Sequence, residues 1–293
     1  MDNPKTIEVQ LINAFVDNEQ GGNPAGVVLQ ADNLTSEQKL QIARKVGLSE
    51  TAFVSNSVVA DCKLDFFTPT RQIAHCGHAT IATFSYLSQQ GFIGNGPSSK
   101  ETIDGRREIL VQGDMAFMEQ QPPVYREVED YSTRILDSLG LKGADRLMNA
   151  PLSIVNTGNS FLLLAVTGIE VLKRIQPDFD LITQLSEELD LVGYYVFTTA
   201  TENPVRDAAS RMFAPRYGIK EEAGTGMAAG PLACYLYDQL AIRKERFLIQ
   251  QGAFMNPAST SLIMVELSAE KGLITKVMAG GKGIPKASMI VEL

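Results

Sequence analysis

The chain contains only two histidines, and both fall in one four-residue window, His75-Cys76-Gly77-His78. An imidazole donates or accepts protons near neutrality, and a helix N-terminus favours the thiolate of a cysteine placed there. The window is therefore a candidate for proton transfer or nucleophilic chemistry. Two carboxylate segments join it. Glu50 stands between the helix stop Gly47 and the apolar Ala52-Phe53-Val54, where a carboxylate is partly desolvated and suited to general acid/base work. The plainer alternative is a strand-end glutamate exposed to solvent. Glu221-Glu222 precedes Ala223-Gly224-Thr225-Gly226. Acids there serve a helix dipole, or Glu222 faces a histidine and tunes its protonation. His75, placed before the glycine, is expected to point away, which leaves His78 as the active ring.

Composition narrows the chemistry. As metal ligands His75, Cys76 and His78 have no companion Cys or His, and neither CxxC nor HExxH occurs, so no metal is expected. Neither GxGxxG nor GxxxxGK[ST] occurs, which withholds direct support from glycine-loop nucleotide binding. Lys+Arg total 26 against 34 Asp+Glu, a net charge of −8 that argues against nucleic acid as a partner. Cys62, Cys76 and Cys234 are odd in number and far apart, which fits reduced thiols and a cytoplasmic setting. Cys62 and Cys234 are read as core. No long apolar run or signal-peptide pattern appears, so neither a membrane nor export is expected. At 293 residues, 44% hydrophobic and 20% charged, the chain is sized for about two globular domains.

These residues need elements to hold them. Ile7 to Ile12 reads as a strand, followed by a turn at Gly21-Gly22-Asn23-Pro24 and a second strand to Leu29. Thr35 to Val46 reads as a helix, with a Thr35/Gln38 capping box, a Leu40-Ala43-Val46 stripe and Gly47 as its stop. Leu48 to Val54 reads as a strand, and Cys62, Leu64 and Phe66 alternate as in a half-buried strand. Ala79 to Gly91 and Ala223 to Tyr237 carry no charge and are apolar on every side. Helices of that kind must be surrounded by protein. Pro231 inside the second predicts either a kink or a place near the first turn.

The two halves also correspond. Phe66-Phe67-Thr68-Pro69 matches Met212-Phe213-Ala214-Pro215, and Gly22-Asn23-Pro24 matches Gly158-Asn159-Ser160, each in the same order relative to its helix. The chain thus reads as a diverged duplication with its boundary at Gln120-Gln121-Pro122-Pro123, giving domains 1–120 and 121–293, the last strand returning to the first. Each central helix opens at a glycine turn, Cys76-Gly77-His78 or Thr225-Gly226-Met227. Amides at two such N-termini, facing across a cleft, would hold a small carboxylate; otherwise both turns are ordinary caps.

In combination and order, Gly22-Asn23-Pro24-Ala25-Gly26, Leu48-Ser49-Glu50-Thr51-Ala52-Phe53, Phe67-Thr68-Pro69 with Cys76-Gly77-His78-Ala79-Thr80, Arg211-Met212-Phe213-Ala214-Pro215 and Glu221-Glu222-Ala223-Gly224-Thr225-Gly226 resemble the PhzF-like isomerases of phenazine biosynthesis. The resemblance spans nearly the whole chain. It implies an α+β, diaminopimelate-epimerase-like fold: two similar pseudo-symmetric domains, each a rolled sheet or barrel around a central helix. It also implies a homodimer, no cofactor, and a site in the domain cleft. By resemblance Glu50 is the general acid/base, His78 the site histidine, and Glu222 stands where the family usually has aspartate. Asn23, Ser49, Gly77, Thr225, Gly226 and Met227 are then the substrate-binding residues. Met227 replaces a serine of the phenazine enzyme, and Arg71-Gln72 replace a usual glutamate. Related epimerases and racemases use one cysteine per domain; Cys76 matches the first, but Ala223 stands at the second.

The function expected is therefore proton transfer within a small carboxylic acid, with Glu50 taking and returning the proton. The competing expectations are a racemase or epimerase using Cys76, and a non-catalytic small-molecule binding protein.

Overall fold

The computed structural model describes residues 6–293. The chain divides at Glu119/Gln120, and Gly280–Leu293 rejoins the first unit, leaving Gln120–Ala279 as the second. Among the described residues no helix is long and apolar enough to cross a membrane.

The first unit contains strands β1 (Thr6–Ala14), β2 (Asn23–Val28), β3 (Thr51–Ser55), β4 (Cys62–Phe67), β5 (Gln72–Ile73), β6 (Gly96–Thr102), β7 (Gly105–Gln112) and β8 (Met115–Gln120). Its helices are α1 (Ser36–Val46) and α2 (Gly77–Gln89). The second unit begins with β9 (Val124–Glu127), α3 (Ser132–Ser138), β10 (Ser153–Asn156), β11 (Ser160–Ala165), α4 (Ile169–Lys173) and α5 (Phe179–Glu188). It continues with β12 (Gly193–Thr198), β13 (Ala208–Ala214), β14 (Ile219–Glu222), α6 (Gly226–Asp238), β15 (Arg246–Gln251) and β16 (Ser261–Glu270). The long β17 (Leu273–Glu292) runs from the second unit into the first.

Both units repeat one pairing pattern. In the first, β2 runs parallel to β3, β3 antiparallel to β4, β4 parallel to β6, and β6 antiparallel to β7. In the second, β11 with β12, β12 with β13, β13 with β15 and β15 with β16 have the same alternation of senses. In the first unit the ring closes: β7 pairs β8, β8 pairs β17, β17 pairs β1 and β1 pairs β2, an eight-stranded barrel. The fold is α+β, two similar barrel-and-helix domains. Gly77–Ser85 of α2 are all buried, as are Ala228–Leu236 of α6. Enclosure explains why neither helix has a charged face.

Local signals act as physics requires. Thr35 Oγ1 accepts from the Gln38 amide, the Gln38 side chain accepts from Thr35 N, and Gly47 ends α1 in the left-handed region at φ 70°. The buried face of α1 is Lys39, Ile42 and Ala43, with Leu40 and Val46 packed at its margin. Two details differ from the sequence expectation, and a third, at Pro231, excludes one of its two alternatives. β3 begins at Thr51, so Glu50 sits at its entrance rather than within it. Asp65 breaks the alternation of β4: it is buried, because Lys39 Nζ reaches its carboxylate at 2.6 Å. Pro231 lies inside α6, beyond the first turn, where it withholds one backbone donor. Next to it Gly230 leaves room for Gln120, whose Nε2 donates to the Gly226 carbonyl at 2.9 Å.

Gly193 shows how tightly the second unit's strands approach. A Cβ there would overlap the Phe213 carbonyl oxygen and come within 2.9 Å of the Ala214 Cβ. Gly193→Ala is expected to lower unfolding stability by about 1–3 kcal/mol, the usual range for an overpacked interior, in urea titrations. A change below about 0.5 kcal/mol, the range of neutral surface substitutions, would show that the strands yield there.

Candidate active site

In the first unit, backbone pairing delivers Glu50. Its carbonyl accepts from the Gly26 amide at 3.1 Å, tying the entrance of β3 to β2. Gly26 has no side chain to spare, since a Cβ would come within 2.8 Å of Thr51 Oγ1. Glu50 is 9% exposed, so the solvent-exposed alternative does not hold. His78, the second residue of α2, is 5% exposed. Its Nε2 lies 3.4 Å from Glu50 Oε2, and its Nδ1 lies 3.6 Å from Cys76 Sγ. The imidazole is thus seated between a carboxylate and a thiol, all three buried.

Cys76 is the N-cap of α2, in extended conformation, and its side chain makes no capping bond. Thr80 Oγ1 instead donates to the Cys76 carbonyl at 2.6 Å. The first-turn amides at Gly77 and His78 consequently have no N-cap side chain across them, the arrangement that suits an anion. Asn23 is buried at the start of β2, whereas Ser49 is exposed. His75 does turn elsewhere, but it is not idle: its Nδ1 lies 3.3 Å from Lys100 Nζ and its ring meets Phe66 edge-on. Donor atoms of Glu50, Cys76 and His78 all fall within 4.8 Å of one another. The carboxylate companion missing from the sequence window is therefore supplied in space. Such a cluster can bind a cation or pass a proton between carboxylate and imidazole.

In the second unit the two adjacent glutamates separate. Glu221 is taken up by Arg211, whose Nε and Nη2 each donate to it at 2.8 Å while Nη1 donates to the Leu172 carbonyl. That bidentate pair is structural. Glu222 takes the other course: its Oε2 accepts from Thr225 Oγ1 at 2.5 Å. Thr225 is the N-cap of α6, yet its hydroxyl serves Glu222 and does not cap the helix. Met227, half-buried in the first turn, lies with its sulfur 3.6 Å from Asn159 Nδ2. Cys234 is wholly enclosed in α6, and burial pushes its thiol far above the usual range. Burial likewise pushes Cys62 up to about 12. Both are core, as expected. A separate hollow of about 620 Å³ opens beside Glu221 and Arg211, and none of the other candidate residues lines it.

Sequence patterns did not single out Gln251, at the end of β15. It is fully buried and uses both ends of its amide. Oε1 accepts from Tyr195 Oη at 2.9 Å and from the Thr225 amide at 3.0 Å. Nε2 donates to the Glu222 carbonyl at 2.7 Å and to Thr225 Oγ1 at 3.1 Å. One side chain thereby fixes both ends of the turn that carries Glu222. Gln251→Leu keeps the volume and orphans these groups; a loss of roughly 2 kcal/mol or more is expected in urea unfolding, since each buried unpaired group costs about 1–3 kcal/mol. An unchanged midpoint would show that Gln251 does not anchor the turn.

Comparison with known proteins agrees with this architecture. Residues 12–288 match the family described as phenazine biosynthesis-like protein, PhzC-PhzF. An uncharacterized isomerase of Clostridium acetobutylicum is 30% identical over 96% of this chain and 97% of its own. The trans-2,3-dihydro-3-hydroxyanthranilate isomerase of Pseudomonas aeruginosa is 27% identical over 93% of this chain and 95% of its own. A crystal structure of a PhzF-family phenazine biosynthesis protein from Bacillus anthracis superposes with TM-score 0.89 at 26% identity, covering 99% of this chain and 100% of that one. A hydroxyproline epimerase of Agrobacterium vitis shares the fold alone, at TM-score 0.60 and 12% identity over 98% of this chain and 91% of that one. The chain belongs to the phenazine biosynthesis-like, PhzC-PhzF, family and is an isomerase.

Proposed function

We propose that the protein moves a proton within a small unsaturated or cyclic carboxylic acid, with Glu50 as the general acid/base. The observation that carries this is the buried contact of Glu50 Oε2 with His78 Nε2 at 3.4 Å. Glu50 Oε2 is buried and takes no hydrogen bond from the protein, which leaves its lone pairs for a substrate proton. In the step, the carboxylate takes a proton from carbon. The C–H electron pair enters the conjugated system, the Glu50 carboxyl exchanges its proton with solvent, and a proton returns from it at another carbon as the double bond moves. Atoms and electrons balance within the substrate, so the step itself calls for no redox carrier. His78 orients the carboxylate, and the first-turn amides at Gly77 receive the substrate's own carboxylate.

The second unit's candidate binding residues are Thr225, Gly226 and Met227 of the turn that opens α6, with Glu222 held by Thr225. Asn23 and Ser49 are the first unit's remaining contacts. Met227, a thioether in place of a serine, makes that wall more apolar. The dihydrohydroxyanthranilate of the Pseudomonas relative is thus a probe rather than the assigned substrate. A two-thiol racemase is less well supported: Cys76 lies against His78, but the start of α6 offers Ala223 and no thiol.

The test is deuterium incorporation from solvent into trans-2,3-dihydro-3-hydroxyanthranilate and a panel of small unsaturated acids. Glu50→Gln is expected to cut exchange by about 10²-fold or more, the usual size of a general acid/base effect, while Cys76→Ala retains it. Equal exchange by wild type and Glu50→Gln would remove Glu50 from the role. Exchange abolished by Cys76→Ala but not by Glu50→Gln would favour the thiol mechanism. Ligands recovered with no exchange at any carbon would favour a binding protein.

A further inference from the structure

Lys100, on β6, is fully buried. Its Nζ donates to Thr80 Oγ1 at 2.5 Å, lies 3.3 Å from His75 Nδ1, and stands 5.0 Å from the Phe66 ring centroid. None of these partners is a carboxylate. Burying a cation without a contacting counter-charge is strongly unfavourable, so this lysine has to be understood through what it holds. Thr80 Oγ1 donates its own proton to the carbonyl of Cys76 at 2.6 Å. The ammonium therefore grips the turn His75-Cys76-Gly77-His78 twice, at His75 directly and at Cys76 through Thr80. The proton-transfer step uses His78 but none of this support.

We propose that Lys100 is a positioning residue for His78: its proton sets the hydrogen-bond directions of His75 and Thr80, and through them the seat of the turn that presents the His78 ring. The proposal rests on His78 belonging to the active site, and its test needs no turnover. An ammonium has three donors and no acceptor. While Lys100 is charged, His75 Nδ1 has to accept, and the ring proton resides on Nε2. When Lys100 releases its proton to solvent, the amine gains a lone pair. His75 is then able to donate from Nδ1, and Thr80 loses its charge-assisted donor.

The surroundings place this change near neutrality. Burial, the largest influence, pulls Lys100 down to about 7; Cys76 at the start of α2, Cys62 on β4 and Asp104 in the β6–β7 turn favour the charge, and Arg107 on β7 opposes it. His75 is pushed down to about 2 by burial, then by Lys100 and Arg107, so its ring stays neutral throughout. Because Lys100 in the fold titrates below its ordinary 10.5, the unfolded chain binds more protons between about pH 7 and 10.5. Stability therefore rises with pH across that window, and the full cost of the buried charge is present below it.

Since the chain has only two histidines, nitrogen-15 histidine labelling of the full-length protein reports both rings of this turn and nothing else. From about pH 6 to 9, His75 is expected to change tautomer without gaining charge. His78 should show a shift component with the same midpoint. In Lys100→Met, which keeps the stem and removes the donor, both changes are expected to disappear. From pH 7 to 10 the melting temperature of wild type should rise relative to that of Lys100→Met. Thr80→Val keeps Lys100 and cuts its path to Cys76, so the His75 change should survive while the matching His78 component is lost. It also keeps the test decisive if Lys100→Met does not fold. A His75 change that persists in Lys100→Met, or a His78 component that survives Thr80→Val, would overturn the proposal. Loss of exchange in Glu50→Gln speaks only to the base, so the two proposals fail separately.

Discussion

A helix with no solvent face has to be enclosed, and that requirement organises both units of this protein. Charged residues would be stranded on α2 or α6, so both are built from small and apolar residues, and strands supply the surroundings. The side-chain hydroxyls that remain on α2 are satisfied at home: Thr83 Oγ1 donates to the Ala79 carbonyl, and Ser85 exchanges bonds with Gly283 of the barrel. What enclosure cannot satisfy is the helix N-terminus, where the first amides lack intrahelical acceptors. In each unit the chemically versatile residues gather at that end.

The turns that open α2 and α6 are supported differently. At α6 a neutral amide, Gln251, holds the turn through four hydrogen bonds. At α2 a buried cation, Lys100, holds it through Thr80 and His75. Both side chains come from the strand that follows the central helix. A fully paired amide gives a fixed support, whereas a buried ammonium gives one whose hydrogen bonds depend on a proton. The carboxylates divide along similar lines. Glu221 is pinned by a bidentate arginine, Glu222 accepts from a threonine hydroxyl, and Glu50 lies against an imidazole. Of these, Glu50 keeps a buried oxygen, Oε2, that takes no hydrogen bond from the protein.

Much of this was legible in the residue pattern. The capping box of α1 and its glycine stop follow from local geometry alone, and the two uncharged helices announced their own burial. The order of motifs around those helices revealed the duplication, which the matching strand senses express in space. Other features resisted because distant residues decide them. Asp65 reads as the polar half of an alternating strand until Lys39, on another element, covers it. His75 reads as incidental until β6 brings Lys100 beneath it. Glu221 and Glu222 are indistinguishable as neighbours in sequence; strand pairing turns successive residues to opposite sides, giving one to Arg211 and the other to Thr225.

The two enclosed helices and the short roster of Glu50, His78, Cys76 and Glu222 could be read from the residues, because periodicity, capping and motif order are local properties of the chain, while the family and its barrel came from the resemblance that the ordered motifs carry. Which of those groups touch was settled only by folding. Glu50 and His78 are separated along the chain by a hairpin and part of a helix, and only the packing of β3 against the enclosed α2 brings carboxylate and imidazole to 3.4 Å in a buried setting. Distance and desolvation govern proton transfer, and both are set by the closing of the barrel rather than by spacing along the chain.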